Sequence, residues 1–344
     1  ERGLHTFGCT GGGHPQSLQS RAVQRFTLLD RNTIANSFAD DVRRGLTASP
    51  KFLLPQYFYD ALGSALFDAI TNLPEYYPTR CETEILTTHA ADMASAFGTP
   101  IRLVELGSGT SKKTRILLDA ICARQPELEY VPVDVDGDML EKTADDLLYE
   151  YDHLRVTAVC ADFKQPSRAL AGVVRDDVRN VVLFLGSTIG NLTFDEAVTM
   201  LRDLRGVLSD RDLFLLGADL RKPKSVLEPA YDDALGVTAA FNRNLLLRIN
   251  RELGGNFDLS RFTHQAFYDE ERGRIEMHLV SSIAQTVTIG DVSVSFAAGE
   301  TIHTENSYKY DDASLERIAA TAGFAIARTW TDSRTWFADA LMRA

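Results

Sequence analysis

Cysteine is scarce in this chain, with 4 in 344 residues, at Cys9, Cys81, Cys122 and Cys160. They form no CxxC pair and no His/Cys cluster, so nothing points to a zinc ribbon or a disulfide framework, and no metal is expected. Scattered single thiols suit a reducing, cytoplasmic setting. Positive charge is also short. The 36 Lys and Arg stand against 48 Asp and Glu, a net charge of −12, which disfavours a protein that grips a nucleic-acid backbone. Apolar runs of about 18 residues or more are missing, so no membrane span is expected. The amino-terminal stretch lacks the charged start and apolar run of a secretory signal. With no heptad repeat or long apolar stripe, a monomer is expected. What is present, 44% hydrophobic and 24% charged residues, is enough to build one large or two ordinary packed domains.

Along the chain, residues 1–25 read as a flexible arm. The run Gly8-Cys9-Thr10-Gly11-Gly12-Gly13 has nothing apolar to bury, and no strand leads into it as a phosphate loop requires. Helical patterning starts near Asn32, followed by a turn-rich stretch holding Tyr57, Phe58, Tyr59, Phe67, Tyr76 and Tyr77. From about residue 100 the rhythm becomes strand–helix. IRLVEL, YVPVD, VTAVCAD, NVVLFLGS and DLFLLGADL are apolar runs separated by helical patterns, which predicts a parallel sheet covered on both faces. After about 222 the alternation stops. Helical stretches fill roughly 225–253, and then β-like runs meet at Gly290-Asp291, a hairpin signal. A helix ending at Gly323 and two closing strands without a crossover, hence antiparallel, bring the α/β rhythm back. The segment 222–308 therefore reads as an insertion into a doubly wound domain.

Three successive strands end in ligand-type residues. The first offers Glu105, Gly107 and Gly109, the glycines allowing backbone to approach a ligand closely. ELGSGTS lacks the third glycine of GxGxxG, which disfavours a dinucleotide and a nicotinamide oxidoreductase. It suits S-adenosylmethionine (SAM), which carries no phosphate. Asp134 ends the second strand, where a carboxylate can accept both ribose hydroxyls. Asp162 and Phe163 end the third, where they can meet an adenine. Lys113, in the first helical turn after the glycines, can reach the cofactor's polar groups.

The strings FYDALGSALFDAITNLPEYYPTR, VELGSGTSKKTR, FLGSTIGNL, AYDDALGVTAAFNRN, RIEM and TENSYKY span about residues 40–344. They resemble the histidine Nα-methyltransferases of ergothioneine biosynthesis, which form hercynine. The resemblance implies an α/β fold: a Rossmann-like class I SAM methyltransferase domain with an inserted smaller α+β substrate-binding domain. The substrate part is expected at 26–80 and 222–308 and the SAM part at 81–221 and 309–344. It also implies that Gly107, Lys113, Asp134, Asp162 and Phe163 line the SAM site. Tyr76, Asn191, Tyr231, Glu305, Asn306 and Ser307 would contact histidine and its mono- and dimethylated forms, with Tyr59, Phe67 and Met277 nearby. Where the family commonly has Val, this chain has Asn306, so a contact there is through backbone or altered. His278 stands where a Trp is expected and can face away from the site.

These residue types suit methyl transfer, in which positioning dominates. Asn191 and Tyr59 are the residues expected to act in catalysis. Asn191 combines a donor and an acceptor to orient the amino-acid head, while Tyr231 and Tyr59 can hydrogen-bond the carboxylate. Glu305 and Ser307 alternate on a strand, so both face one way, toward the imidazole. Tyr59, Phe67 and Tyr76 can hold a growing methylammonium by cation–π attraction. A Tyr, Glu305 or solvent can take the amine proton, and the residues do not choose among them. The competing readings are methylation of another aromatic amino acid such as tryptophan, and a non-catalytic SAM-binding regulatory module.

Overall fold

A computed structural model of the protein describes residues 25–31 and 37–344, so all but the end of the expected arm, with Cys9, lies outside them. An eight-stranded sheet runs in the order β1-β5-β4-β3-β6-β7-β14-β13. Its strands are β1 (Phe26–Asp30), β3 (Ile101–Leu106), β4 (Leu128–Asp134), β5 (Leu154–Cys160), β6 (Arg179–Phe184), β7 (Leu213–Asp219), β13 (Ala325–Thr331) and β14 (Phe337–Arg343). From β1 through β7 the neighbours are parallel. β14 is antiparallel to β7, and β13 to β14, as the closely spaced terminal pair required. β3 and β7 are buried along their whole length, which explains runs that are mostly apolar rather than alternating.

A second sheet, β2-β12-β9-β8, is built from β2 (Lys51–Phe52), β8 (Phe262–Asp269), β9 (Arg274–Ser281) and β12 (Thr301–Tyr308). β10 (Gln285–Ile289) and β11 (Val292–Phe296) form the hairpin turned at Gly290, whose φ is +56°. The helices are α1 (Phe38–Thr47), α2 (Ala61–Thr71), α3 (Tyr77–Phe97), α4 (Thr114–Cys122), α5 (Gly137–Glu150), α6 (Pro166–Ala169), α7 (Phe194–Val207), α8 (Lys224–Leu227), α9 (Val237–Leu253) and α10 (Asp312–Ala322). No helix among the described residues is long and apolar enough to cross a membrane.

Two features differ from the sequence reading. Residues 26–30, expected with the smaller unit, form the edge of the large sheet, Phe26 to Asp30 pairing with Val156 to Cys160. Five residues are too few to show a period, and the partner strand lies more than a hundred residues away. β8 was not foreseen, because FTHQAFYD mixes polar and aromatic residues on both faces. Elsewhere local chemistry sets the ends. Asp60 caps α2 by accepting from Gly63 N at 2.7 Å. Thr193 and Glu196 form a reciprocal capping box on α7.

The chain order runs β3, β4, β5 to one side and then crosses to β6 and β7 on the other. In open α/β sheets such a reversal leaves a crevice beyond the carboxyl ends of the strands. The residues after β3, β4, β5 and β6 all open there.

Candidate active site

The floor of the crevice is backbone. Gly107 has φ +69° and Gly109 φ +51°, conformations that side chains rarely adopt. A Cβ on Gly107 would come within 3.6 Å of the Phe163 ring, and one on Gly109 would meet nothing within 4 Å. Asp134 holds this loop: its Oδ2 accepts from Gly109 N at 3.0 Å, and its Oδ1 from Val135 N at 2.8 Å. Burial pushes the Asp134 carboxyl up, against the pull of these N–H groups. Asp162 Oδ1 accepts from Lys164 N at 2.9 Å, which steers the chain so that Phe163 packs on Phe184 at 5.4 Å. A Cβ-free floor, an aromatic face and a carboxylate at the second strand fit a cofactor with ribose and base and no phosphate. Glu105 lies deeper, accepting from Thr114 Oγ1 at 2.8 Å and from Tyr130, and burial pushes it up to about 7. It fastens the loop to α4.

Lys113 pairs with Glu82, which is fully buried on α3 and accepts from Gly186 N at 2.7 Å. Glu82 was missed in the sequence. Its signal is that it falls one turn after Pro78 and one before Leu86, on the stripe of α3 that is otherwise buried and apolar. Asp339 on β14 lies beside it. Its oxygens have no hydrogen-bond partner, and burial with the neighbouring Glu82 pushes it well up.

Facing this cradle is an aromatic wall. Tyr59 meets Phe67 edge-on at 5.7 Å, Phe67 meets Tyr76 at 6.2 Å, and Tyr76 meets Tyr231 at 6.3 Å. Phe241 on α9 backs them at 5.8 Å from Tyr59. Tyr59 keeps 44% of its surface exposed. Desolvation, then the charges of Glu305 and Asp134, raise its phenol, although solvent at so exposed a ring damps the effect.

β12 supplies the opposite wall. Glu305 pairs with Met277 across the ladder, and Ser307 with Ile275, so all four side chains share one face. Asn191, at the end of the 3₁₀ turn Thr188–Asn191, lies on the Glu305 side of the site, near enough to bear on its carboxyl. Burial pushes Glu305 up to about 7, while Lys309 and Asn191 pull it back. Asn306 pairs with Glu276 and therefore faces the other way. Of the contacts expected there, through backbone or altered, alternation leaves Asn306 its backbone to offer.

Lys309 was not singled out in the sequence, although it continues the i, i+2 series from Glu305 and Ser307. Its buried ammonium donates to Tyr231 Oη at 2.8 Å and Ser307 Oγ at 2.8 Å, and pairs with Asp219 Oδ2 at 2.8 Å. Its three protons are then all committed. Tyr231 Oη and Ser307 Oγ are 2.7 Å apart. Both accept from Lys309, and one donates to the other, so one O–H of the pair is left for a ligand. Burial raises the Asp219 carboxyl, but Lys309 and Lys222 override this and hold it below its ordinary value.

The site thus sets an acceptor, Glu305, beside a single free hydroxyl donor. The profile of the family described as "Histidine-specific methyltransferase, SAM-dependent" matches residues 38–344. The chain is 46% identical over 306 residues to the histidine N-alpha-methyltransferase of Mycolicibacterium smegmatis, covering 88% of this chain and 94% of that one. Against the histidine N-alpha-methyltransferase of Mycobacterium tuberculosis the identity is 47% over 294 residues, 85% and 90% of the two chains. Ergothioneine biosynthesis protein 1 of Neurospora crassa is 30% identical over 285 residues, which is 82% of this chain and 32% of the longer protein. A topology with its crevice at the strand reversal and a family profile reaching from α1 to the last residue agree: this chain belongs to the SAM-dependent, histidine-specific methyltransferases.

Proposed function

We propose that the protein methylates the α-amino group of L-histidine three times, through the mono- and dimethylated forms, to give hercynine. The observation that carries this reading is the pairing of Glu305 with the Tyr231–Ser307–Lys309 network. A neutral imidazole has one N–H donor and one bare nitrogen acceptor. Glu305 accepts from the first, and the free hydroxyl of the Tyr231–Ser307 pair donates to the second. An indole has only the donor and would leave that hydroxyl unpaired, at a cost of about 1–3 kcal/mol. Discrimination by polar pairing exceeds what apolar fit supplies.

SAM, held by Gly107, Lys113, Asp134, Asp162 and Phe163, supplies an electrophilic methyl group on a sulfonium. The chain's own task is to present the amine. Asn191, beside Glu305, orients the amino-acid head from the same corner that fixes the ring. Tyr59, edge-on to Phe67 and Phe241, helps to seat the substrate. Tyr76 and Phe67 offer ring faces to an ammonium that loses N–H donors as methyls accumulate, at about 0.5–2 kcal/mol each. Their phenol and phenyl groups need no donor from it. Water is the natural carrier of the amine proton, since burial keeps the Tyr76 and Tyr231 phenols protonated.

The test is mass spectrometry of purified protein incubated with SAM and each of the twenty amino acids. Histidine heavier by one, two and three methyl groups is expected. Methylation of tryptophan instead would overturn the roles given to Glu305 and Ser307, and no methylation would favour a regulatory SAM-binding module.

A further inference from the structure

The face of the small sheet turned away from Met277 and Glu305 carries a second polar cluster. Glu276 and His278 are two residues apart on β9 and so project from the same face. His303 pairs directly with His278 across the ladder, their rings 4.9 Å apart. One potential ligand atom from each of Glu276, His278 and His303 lies within 4.8 Å of the others. We propose that these three residues bind a single divalent cation of zinc type, on a face separate from the methyl-transfer site.

The groups are already positioned as a metal site needs. His278 Nε2 and Glu276 Oε2 are 2.9 Å apart. Two ligands on one tetrahedral zinc stand roughly 3.3 Å apart, given bonds of about 2.0–2.1 Å, so this pair needs little movement to admit a cation. Phe267 stacks on the His278 ring at 5.4 Å and 11°, which fixes its plane. His303 Nε2 lies 3.1 Å from the carbonyl of Glu305, so it must be the donor there, and the lone pair is left on Nδ1. A ring N–H given to a backbone carbonyl is the usual support of a metal-bound imidazole. Arg274 grips Glu276 through Oε1, from Nε at 2.9 Å and Nη2 at 2.5 Å, leaving Oε2 toward the imidazoles.

Arg274, and Arg272 at 3.5 Å from Glu276, oppose a cation by charge. They limit affinity without occupying the ligand atoms. Two imidazoles and one carboxylate suit zinc and exclude calcium and magnesium, which take oxygen donors. The fourth position opens to water, because Gln265, paired with His278 on the other side, is exposed. A cation here would also pin the strand where the ladder slips by one residue, between His303 and Glu305. That slip lets Glu305 face the substrate while His303 faces away.

The experiment uses the untagged, full-length protein stripped of metal, in the absence of histidine, which itself chelates zinc. Equilibrium dialysis against buffered Zn²⁺, read by atomic emission, should find one equivalent bound. Glu276→Gln and His303→Asn, each checked for native circular dichroism, should weaken binding at least about tenfold. Co²⁺ in place of zinc should give visible bands without thiolate charge transfer. No equivalent bound at micromolar zinc, unchanged affinity in both variants, or a thiolate signature would each overturn the proposal.

Discussion

In the proposed reading Glu305 is the residue on which selectivity turns. It is half-buried and held up to about 7, and it accepts an imidazole N–H most strongly as the carboxylate. Histidine KM should therefore fall as pH rises through 7. The free imidazole titrates at about 6.5 and adds to the same limb, so the contribution of Glu305 is read as the part that disappears in Glu305→Gln. That variant loses a charge-assisted bond of about 1.5–3 kcal/mol, roughly tenfold to a hundredfold in kcat/KM. Steady-state kinetics on either side of pH 7 check both. A KM unchanged by the substitution would remove Glu305 from the imidazole. Lys309 makes a different prediction. Lys309→Met strips a buried carboxylate of one of its two cations and frees two hydroxyls. A loss of about 3–5 kcal/mol is expected, measured by urea unfolding, with weakened histidine binding in whatever remains folded.

At the scale of elements, the 3₁₀ turn Thr188–Asn191 is seated on β12 through Gly190. A Cβ there would come 3.0 Å from the backbone oxygen of Tyr308 and 3.3 Å from its nitrogen. Gly190→Ala must push the turn away from the strand and take Asn191 off Glu305. We expect KM for histidine to rise severalfold while SAM affinity, measured by calorimetry, stays near that of the parent. Equal losses in both would mean that the turn supports the whole crevice rather than the substrate side. The same elements show what a sequence can carry. Gly107, Asp134 and Phe163 were legible because each closes a buried strand, and a parallel sheet gathers strand ends in one place. Asn191 and Glu305 were legible only through long matched strings, since an Asn after glycine or a Glu in a strand is ordinary. Glu82, Lys309 and Asp219 were overlooked because a charge at a buried position is recognised only when its partner, from a distant segment, is in view. The short strand β1 and the mixed strand β8 failed for a related reason: their pairing is set by what lies beside them, not by their own period.

Asp339 belongs to the scale of the whole molecule, because its effect is on the folding equilibrium. Burial, then Glu82, push its carboxyl well above the ordinary 3.8. Over the range between those values the native state holds a proton that the unfolded chain has released, so stability falls as pH rises from about 4. Asp339→Asn removes that dependence. The variant should match the parent in acid and gain on it as pH rises, read from urea midpoints across the range. A deficit that grows with pH would instead place an ionised Asp339 in a working pair with Lys113.

β14 follows β13 in the chain yet lies inside the large sheet, between β7 and β13. A nascent chain that has emerged only as far as β12 therefore exposes β7 as an unpaired edge, flanked by a small sheet that is already complete in sequence. Synthesis proceeds at about 5–20 residues per second, so this edge stays open for seconds before its neighbour arrives. The order of emergence makes β7, rather than β1 or β13, the place where a chaperone has most to protect.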